Sequence, residues 1–367
     1  MATFQDEVNI LKERFTRDPR FEYVRFISSG AHGSAHQIRY NDPNRPGLKQ
    51  FIVKKSFHFT NSQELMRTER KALEALRGCK HIVQILDIEK DPLALPPEQK
   101  EPPVGEYIIM EWIPNGTVYN FIQVALANNV VRLPNRLLWR FLYCLVRACT
   151  GMAYPPSRTD NTLVDEVPIP GVAPSLLIHG DLHAHNILLG EFLQDPDHEF
   201  SPILKLIDFG LASMEIEGNQ LSGGYGVPRN LWDIGKIMVA LITLNTGLLV
   251  HDKDFKKSYE FTYNGVAIKT QAHAIHPLSS QGGPLTWLDD DLAVLVSLFL
   301  ASERNDRPDL FRVHWLCQNA FADKPAEIYA HPEAETDEMV KQLCESLLFA
   351  PPNKPPEEPP ELDDLIL

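Results

Sequence analysis

An α+β protein in two lobes is what this sequence predicts, with a small β-rich first lobe carrying one main helix and a larger, mostly helical second lobe. Three observations carry the prediction. Short apolar runs of strand length, one pair joined by a glycine turn, are gathered between Phe21 and Ile113. The stretch from Leu137 to Met152 has the apolar density of a buried helix. After it, Leu176 to Gly210 reads LLIHGDLHAHNILL, a polar excursion, then ILKLIDFG, so two more apolar runs flank a set of polar side chains. At 367 residues, 44% hydrophobic and 23% charged, the chain has the length and composition for both lobes.

The formal net charge of -14 argues against a phosphate-neutralising nucleic-acid surface and against an anionic membrane patch, and favours basic partners. Cys79, Cys144, Cys149, Cys317 and Cys344 are odd in number and scattered, with no CxxC spacing. They indicate neither a disulfide framework nor a zinc site, and point to a reducing, intracellular setting, cytoplasmic or nuclear. The N-terminus mixes charges into an amphipathic pattern and is no secretory signal. Ile237 to Val250 is interrupted by Thr243, Asn245, Thr246 and Gly247 and is too short for a membrane span. No nucleic-acid or membrane partner is expected.

In chain order, residues 1–20 read as an N-terminal helical extension. Phe21 to Ile27 is strand-like and runs into SSGAHGSAHQIRY, where Gly30 and Gly33 bracket a tight turn of the kind that lets backbone approach a phosphate. In FIVKKSF the strand alternation puts Phe51 and Val53 on one face and Ile52 and Lys54 on the other, and a lysine on an inward face needs an anion. TNSQELMRTERKALEALRG reads as a helix capped by Asn61, with Glu64 three residues on, and closing at Gly78. Glu69 falls in its apolar stripe of Leu65, Ala72, Leu73 and Leu76 and wants a cation. HIVQILDI is strand-like, Glu89 to Gly105 a surface insertion, and EYIIMEWIPNGTV a strand with a turn at Gly116. Thr159 to Pro174 reads as a polar insertion ahead of LLIH.

The polar set in that last region is Asp181, Asn186 and Asp208, three oxygen-bearing side chains at the ends of short buried strands. Hard divalent cations such as Mg²⁺ take carboxylate and amide oxygens together with phosphate oxygens, and a further carboxylate serves to orient an attacking hydroxyl.

The order of these motifs, a glycine turn, a strand lysine, a helix glutamate, HGDLHAHN and DFG, resembles the protein kinase superfamily over Phe21 to Phe321. The resemblance implies a bilobal kinase-like domain at 21–325, with lobes at 21–112 and 113–325, that moves the γ-phosphoryl of ATP to a hydroxyl with Mg²⁺. A protein Ser/Thr is the first acceptor to expect. It implies that Lys54 holds the α- and β-phosphates and pairs with Glu69, that Asp181 is the catalytic base, and that Asn186 and Asp208 ligate the metal. Ser28, Gly30, Gly33 and Ala35 would cover the phosphates. Ile52, Met110 at the gatekeeper place, Glu111, Ile113 and Leu188 would border the adenine.

Departures from the family pattern accompany the match. Ser28 stands for the first glycine, Ile52 for an alanine, Gly180 for an arginine that reads activation-loop phosphorylation, and His183 for a lysine. Leu211 to Arg229 is short, with Gly223, Gly224 and Gly226 and no APE motif. NLWDIGKIM keeps Trp232 and Gly235 but has Asn230 for Asp, and Arg307-Pro308 is present without its usual glutamate partner. HGDLH is also similar to aminoglycoside and choline kinase-like phosphotransferases, which act on small molecules. A small-molecule kinase and a non-enzymatic pseudokinase scaffold therefore stand as alternatives. Zinc on His179, His183 and His185 finds no support in their spacing. Residues 326–350 read as a C-terminal helical extension, and 351–367 as a Pro/Glu-rich disordered tail.

Overall fold

A computed structural model of the chain describes residues 4–42, 47–57, 60–94, 105–214, 226–247, 257–276, 278, 282–283 and 285–349. It is a mixed α+β structure. Strands β1 (Phe21–Ser29), β2 (Gly33–Tyr40), β3 (Gln50–Ser56) and β4 (Tyr107–Glu111) make one antiparallel sheet in that order. The alternation of β3 decides its two faces. Phe51 and Val53 are fully buried, packed with Leu11 and Phe15 of helix α1 (Phe4–Thr16) and with Phe21, Tyr40 and Ile109. Ile52 and Lys54 face the other way. Lys55, on the packed face, is itself buried.

Helix α2 spans Thr60–Ala75, so Asn61 lies inside it and is not its cap. Its exit turn ends on Gly78 at φ +90°. HIVQILDI does not form a regular strand. The Gln84 side chain accepts from the Gly78 N–H at 2.7 Å and donates to the carbonyls of Cys79 and Ile82 at 2.7 and 2.8 Å, drawing the chain into a side-chain-bonded turn. Only single bridges to Leu206 and Met110 survive there. Most of the insertion at 89–105 lies outside the described residues.

The helical part is built around α4 (Asn135–Ala153), in which every residue from Leu137 to Ala153 is buried. Around it stand α3 (Val118–Ala127), α5 (Gly226–Thr243), α6 (Asp290–Phe299), α7 (Leu310–Asp323) and α8 (Asp337–Leu348). Two short antiparallel ladders complete the sheet content near the site, β5 (Leu177–Ile178) with β8 (Ser213–Met214) and β6 (Ile187–Leu189) with β7 (Leu204–Leu206). A hairpin of β9 (Tyr259–Tyr263) and β10 (Val266–Thr270) packs on α6. No helix among the described residues is long and apolar enough to cross a membrane.

Helix α4 starts after Pro134 with no side-chain cap of its own. Glu335, in the segment before α8, supplies one instead: its buried carboxylate accepts the N–H groups of Asn135 and Arg136, each at 3.0 Å. An acid at an N-terminus also meets the positive end of the helix dipole. Glu335→Ala is expected to cost about 2 kcal/mol of stability, read as a lowered denaturant midpoint at unchanged m-value.

His36 of β2 is buried between Tyr23 Oη (3.0 Å) and Ser34 Oγ (2.8 Å). Burial, with help from Lys55, pushes it from 6.5 down to about 4. A depressed histidine favours the unfolded state in acid, so its contribution is complete above 6.5 and is lost as pH falls towards about 4. The melting temperature should fall across that window, and His36→Gln should flatten the slope.

Candidate active site

The β6–β7 ladder pairs Ile187 with Leu206, which puts Asn186 beside Ile207 and Asp208 at one end of the pair. The Ile207 N–H donates to the Asn186 carbonyl at 3.0 Å. Asp208 sits at φ +65°, a left-handed conformation that aspartate tolerates better than most side chains. That twist sends Phe209 into the core, fully buried, with its ring centroid 4.5 Å from that of His179.

His179 joins the two motifs. It is buried; its Nε2–H donates to the Ile207 carbonyl at 2.9 Å while Nδ1 accepts the Asp181 N–H at 3.3 Å. Burial holds its pKa below the usual imidazole value, in keeping with a neutral ring that donates from one nitrogen and accepts at the other. Behind it, Asn230 of α5 accepts the His179 N–H at 3.2 Å and donates to the Leu177 carbonyl at 2.9 Å. The second of these bonds needs an amide, which an aspartate could not supply.

Asp181 follows Gly180, whose φ of +83° is costly for any other residue, and whose Cβ would strike the Leu211 carbonyl. An arginine cannot stand there in this backbone. The Asn186 amide nitrogen donates to the Asp181 carbonyl at 2.9 Å and to its carboxylate at 3.2 Å, so the two side chains orient each other. His183 Nε2 lies 3.4 Å from the Asp181 carboxylate.

Across the cleft, Lys54 pairs with Glu69 at 2.7 Å and with Asp208 at 2.8 Å. Glu69 is buried in the α2 stripe, as its place in the helix predicts. Burial alone would lower the lysine, but the two carboxylates hold it above its ordinary value, so the ammonium stays charged. Burial pushes the Glu69 carboxyl up, against the pull of Lys54. Asp208 stays below the usual carboxylate range because Lys54 outweighs its burial.

Lys54, Glu69, Asp181, Asn186 and Asp208 open onto one cleft of about 810 Å³. It is lined by Ser28, Gly30, Gly33, Ala35, Ile52, Lys54, Glu69, Met110, Glu111, Ile113, Asp181, Asn186, Leu188 and Asp208, every site residue singled out in the sequence. Gly33 admits the β3 backbone so closely that a Cβ would meet the Lys55 carbonyl. Ile52 lies opposite Met110 in the ladder, with Leu188 and Ile113 among the other apolar wall residues. One refinement concerns Glu111. Its N–H donates to the Gln84 carbonyl at 3.0 Å and its carboxylate takes Lys205 at 2.5 Å, and neither partner lines the cleft. The Glu111 amide is thus engaged elsewhere.

Sequence reasoning missed Ile27, Thr117, Asn120 and His185, which also line the cleft. His185 is stacked on Tyr119 with centroids 4.0 Å apart, and nothing in local sequence announces that pair. The stacking, and the bonds of His179, show two of the three clustered histidines engaged in packing roles. Asn186 and Asp208 fit Mg²⁺: the Asn186 nitrogen is spent on Asp181, which leaves an amide oxygen, and Asp208 offers carboxylate oxygens.

Farther down, Arg307 stacks its guanidinium over Trp232 at 4.6 Å and donates to the carbonyls of Pro228 (2.8 Å) and Ala301 (3.1 Å). Among the described residues, backbone carbonyls satisfy its guanidinium. Gly223 and Gly224 lie outside the described residues. Comparison with protein-family models and with curated proteins returns no match for the chain.

Proposed function

We propose that this chain is a bilobal, protein kinase-like phosphotransferase that moves the γ-phosphoryl of ATP to a hydroxyl, with a protein Ser/Thr as acceptor and Mg²⁺ as cofactor. The observation that carries the reading is Lys54, bound at once to Glu69 and Asp208 in the cleft that also holds Asp181 and Asn186. An ammonium fixed by two carboxylates is a pre-set contact for phosphate oxygens, and phosphoryl transfer is mostly a matter of such positioning. Asp181, held by the Asn186 amide, accepts the proton of the attacking hydroxyl. Asn186 and Asp208 would hold Mg²⁺, which neutralises charge on the phosphates when bound. The Ile52, Met110, Ile113 and Leu188 walls suit a purine. The five cysteines, all free and buried, accord with a reducing, intracellular setting.

The small-molecule alternative rests on HGDLH, and on His183 beside Asp181 where protein kinases place a lysine. Trp232 and Gly235 of NLWDIGKIM and the Arg307-Pro308 pair, with Arg307 packed on Trp232, favour the protein kinase branch. The scaffold alternative rests on Ser28, Ile52 and the missing APE motif. Incubating the full chain with γ-labelled ATP and Mg²⁺, with basic protein acceptors and with aminoglycoside or choline acceptors in parallel, separates the three. Label on protein supports the reading; label only on a small molecule, or ATP bound without transfer, contradicts it.

A further inference from the structure

Three buried residues far apart in sequence meet well away from the cleft. His81 leaves the turn after α2, Cys144 sits in the middle of α4, and His198 lies in the turn between β6 and β7. They are the one group of three among the described residues whose ligand atoms converge as a metal would require. His81 Nε2 and His198 Nε2 are 3.1 Å apart, and Cys144 Sγ is 3.6 Å from His198 Nε2.

The other nitrogen of each ring is already fixed. His81 Nδ1 lies 2.9 Å from the Glu166 carboxylate and His198 Nδ1 lies 2.8 Å from that of Asp195. A carboxylate at Nδ1 keeps the proton on that side of the imidazole and leaves the Nε2 lone pair facing inwards. Two lone pairs therefore confront each other at 3.1 Å within the buried cluster. The Cys144 thiol proton can serve one of them and not both. An electrophile common to the three atoms satisfies all of them.

The separations and the donor types fit zinc. Zinc–nitrogen bonds of about 2.05 Å and zinc–sulfur bonds of about 2.3 Å, at tetrahedral angles, put two nitrogens about 3.3 Å apart and a nitrogen and a sulfur about 3.6 Å apart. The observed separations of 3.1 and 3.6 Å are close to those edges. Two imidazoles and a thiolate, each imidazole backed by a carboxylate, are a borderline-soft donor set suited to Zn²⁺ and unsuited to Mg²⁺ or Ca²⁺.

We propose that His81, Cys144 and His198 form a buried zinc site, oriented by Glu166 and Asp195, that pins the exit of α2 and the 195–198 turn to the middle of α4. The fourth tetrahedral position goes to a solvent molecule. Binding exchanges the Cys144 proton for the metal, so the Sγ–H bond breaks, a zinc–sulfur bond forms, and the proton leaves to solvent. The site is independent of the cleft chemistry. The three residues come from separate elements, so no local spacing in the sequence announces them.

The test is metal analysis of the purified full-length chain. Stoichiometric zinc is expected, along with a lower melting temperature after treatment with a strong chelator, restored by Zn²⁺ and not by Mg²⁺. Cys144→Ala and His198→Gln should lose the metal. Because either variant can fail to fold, the wild-type chain exchanged with Co²⁺ gives a second reading, a thiolate-to-cobalt charge-transfer band that requires a cysteine ligand. Folded wild-type protein that is free of zinc and indifferent to added Zn²⁺ would overturn the proposal and leave a proton-bridged imidazole pair. Absence of the cobalt band would overturn it too, as would zinc retained at full stoichiometry by both variants.

Discussion

Asp181→Asn is expected to lower phosphoryl transfer by about 10²- to 10⁴-fold, the usual contribution of a positioned general base, while the folded chain still binds nucleotide. The substitution keeps the shape of the side chain and an oxygen for the Asn186 amide, which now donates at 3.2 Å. It removes only the ability to take a proton. Because Lys54 pairs with Glu69 and Asp208 and not with Asp181, ATP affinity should change little. Single-turnover transfer and nucleotide titration, run side by side, check both halves. Equal turnover in variant and wild type would remove Asp181 from the role assigned to it.

The largest stability effect is expected at Glu166. Its carboxylate is sealed from solvent and accepts the His81 N–H at 2.7 Å, faces His81 Nδ1 at 2.9 Å and lies 3.4 Å from Arg147 Nε. The neighbouring cations and donors hold it at about 2, against a burial effect that would raise it. Glu166→Ala orphans two buried donors and removes one counter-charge of Arg147, whose others are Asp165 and Asp197. A cost of about 3–5 kcal/mol follows, the range for breaking a buried pair from one side. Denaturant unfolding at neutral pH measures it, and a loss within the range of an ordinary surface substitution would contradict the account.

Glu166 also shows where sequence reading stops. It lies in Thr159 to Pro174, a stretch that reads as a polar, proline-containing insertion, yet the structure turns this acid inwards against His81. Nothing local marks it, because its hydrogen-bond partner His81 lies 85 residues away. The same holds for Glu335, which caps a helix 200 residues earlier, and for the Pro228 carbonyl that accepts from Arg307 across 79 residues. By contrast, the cleft residues were legible because each breaks a local rule. Lys54 sits on the inward face of a strand, Glu69 in an apolar stripe, and Asp181, Asn186 and Asp208 at the ends of greasy runs. Such breaks require a partner, and partners require a site. Local errors had local causes as well: α2 begins one residue before its expected cap at Asn61, and Gln84 diverts HIVQILDI from a ladder.

The most direct measurement is thermal melting of the full chain with ATP, with and without Mg²⁺, in wild type, Lys54→Ala and Asp208→Asn. A ligand bound only by the folded state raises the midpoint by mass action. The account predicts a rise with ATP that grows when Mg²⁺ is added, is much reduced in Lys54→Ala, and loses its metal dependence in Asp208→Asn. A midpoint indifferent to millimolar nucleotide and metal, or the same shift in all three proteins, would contradict it.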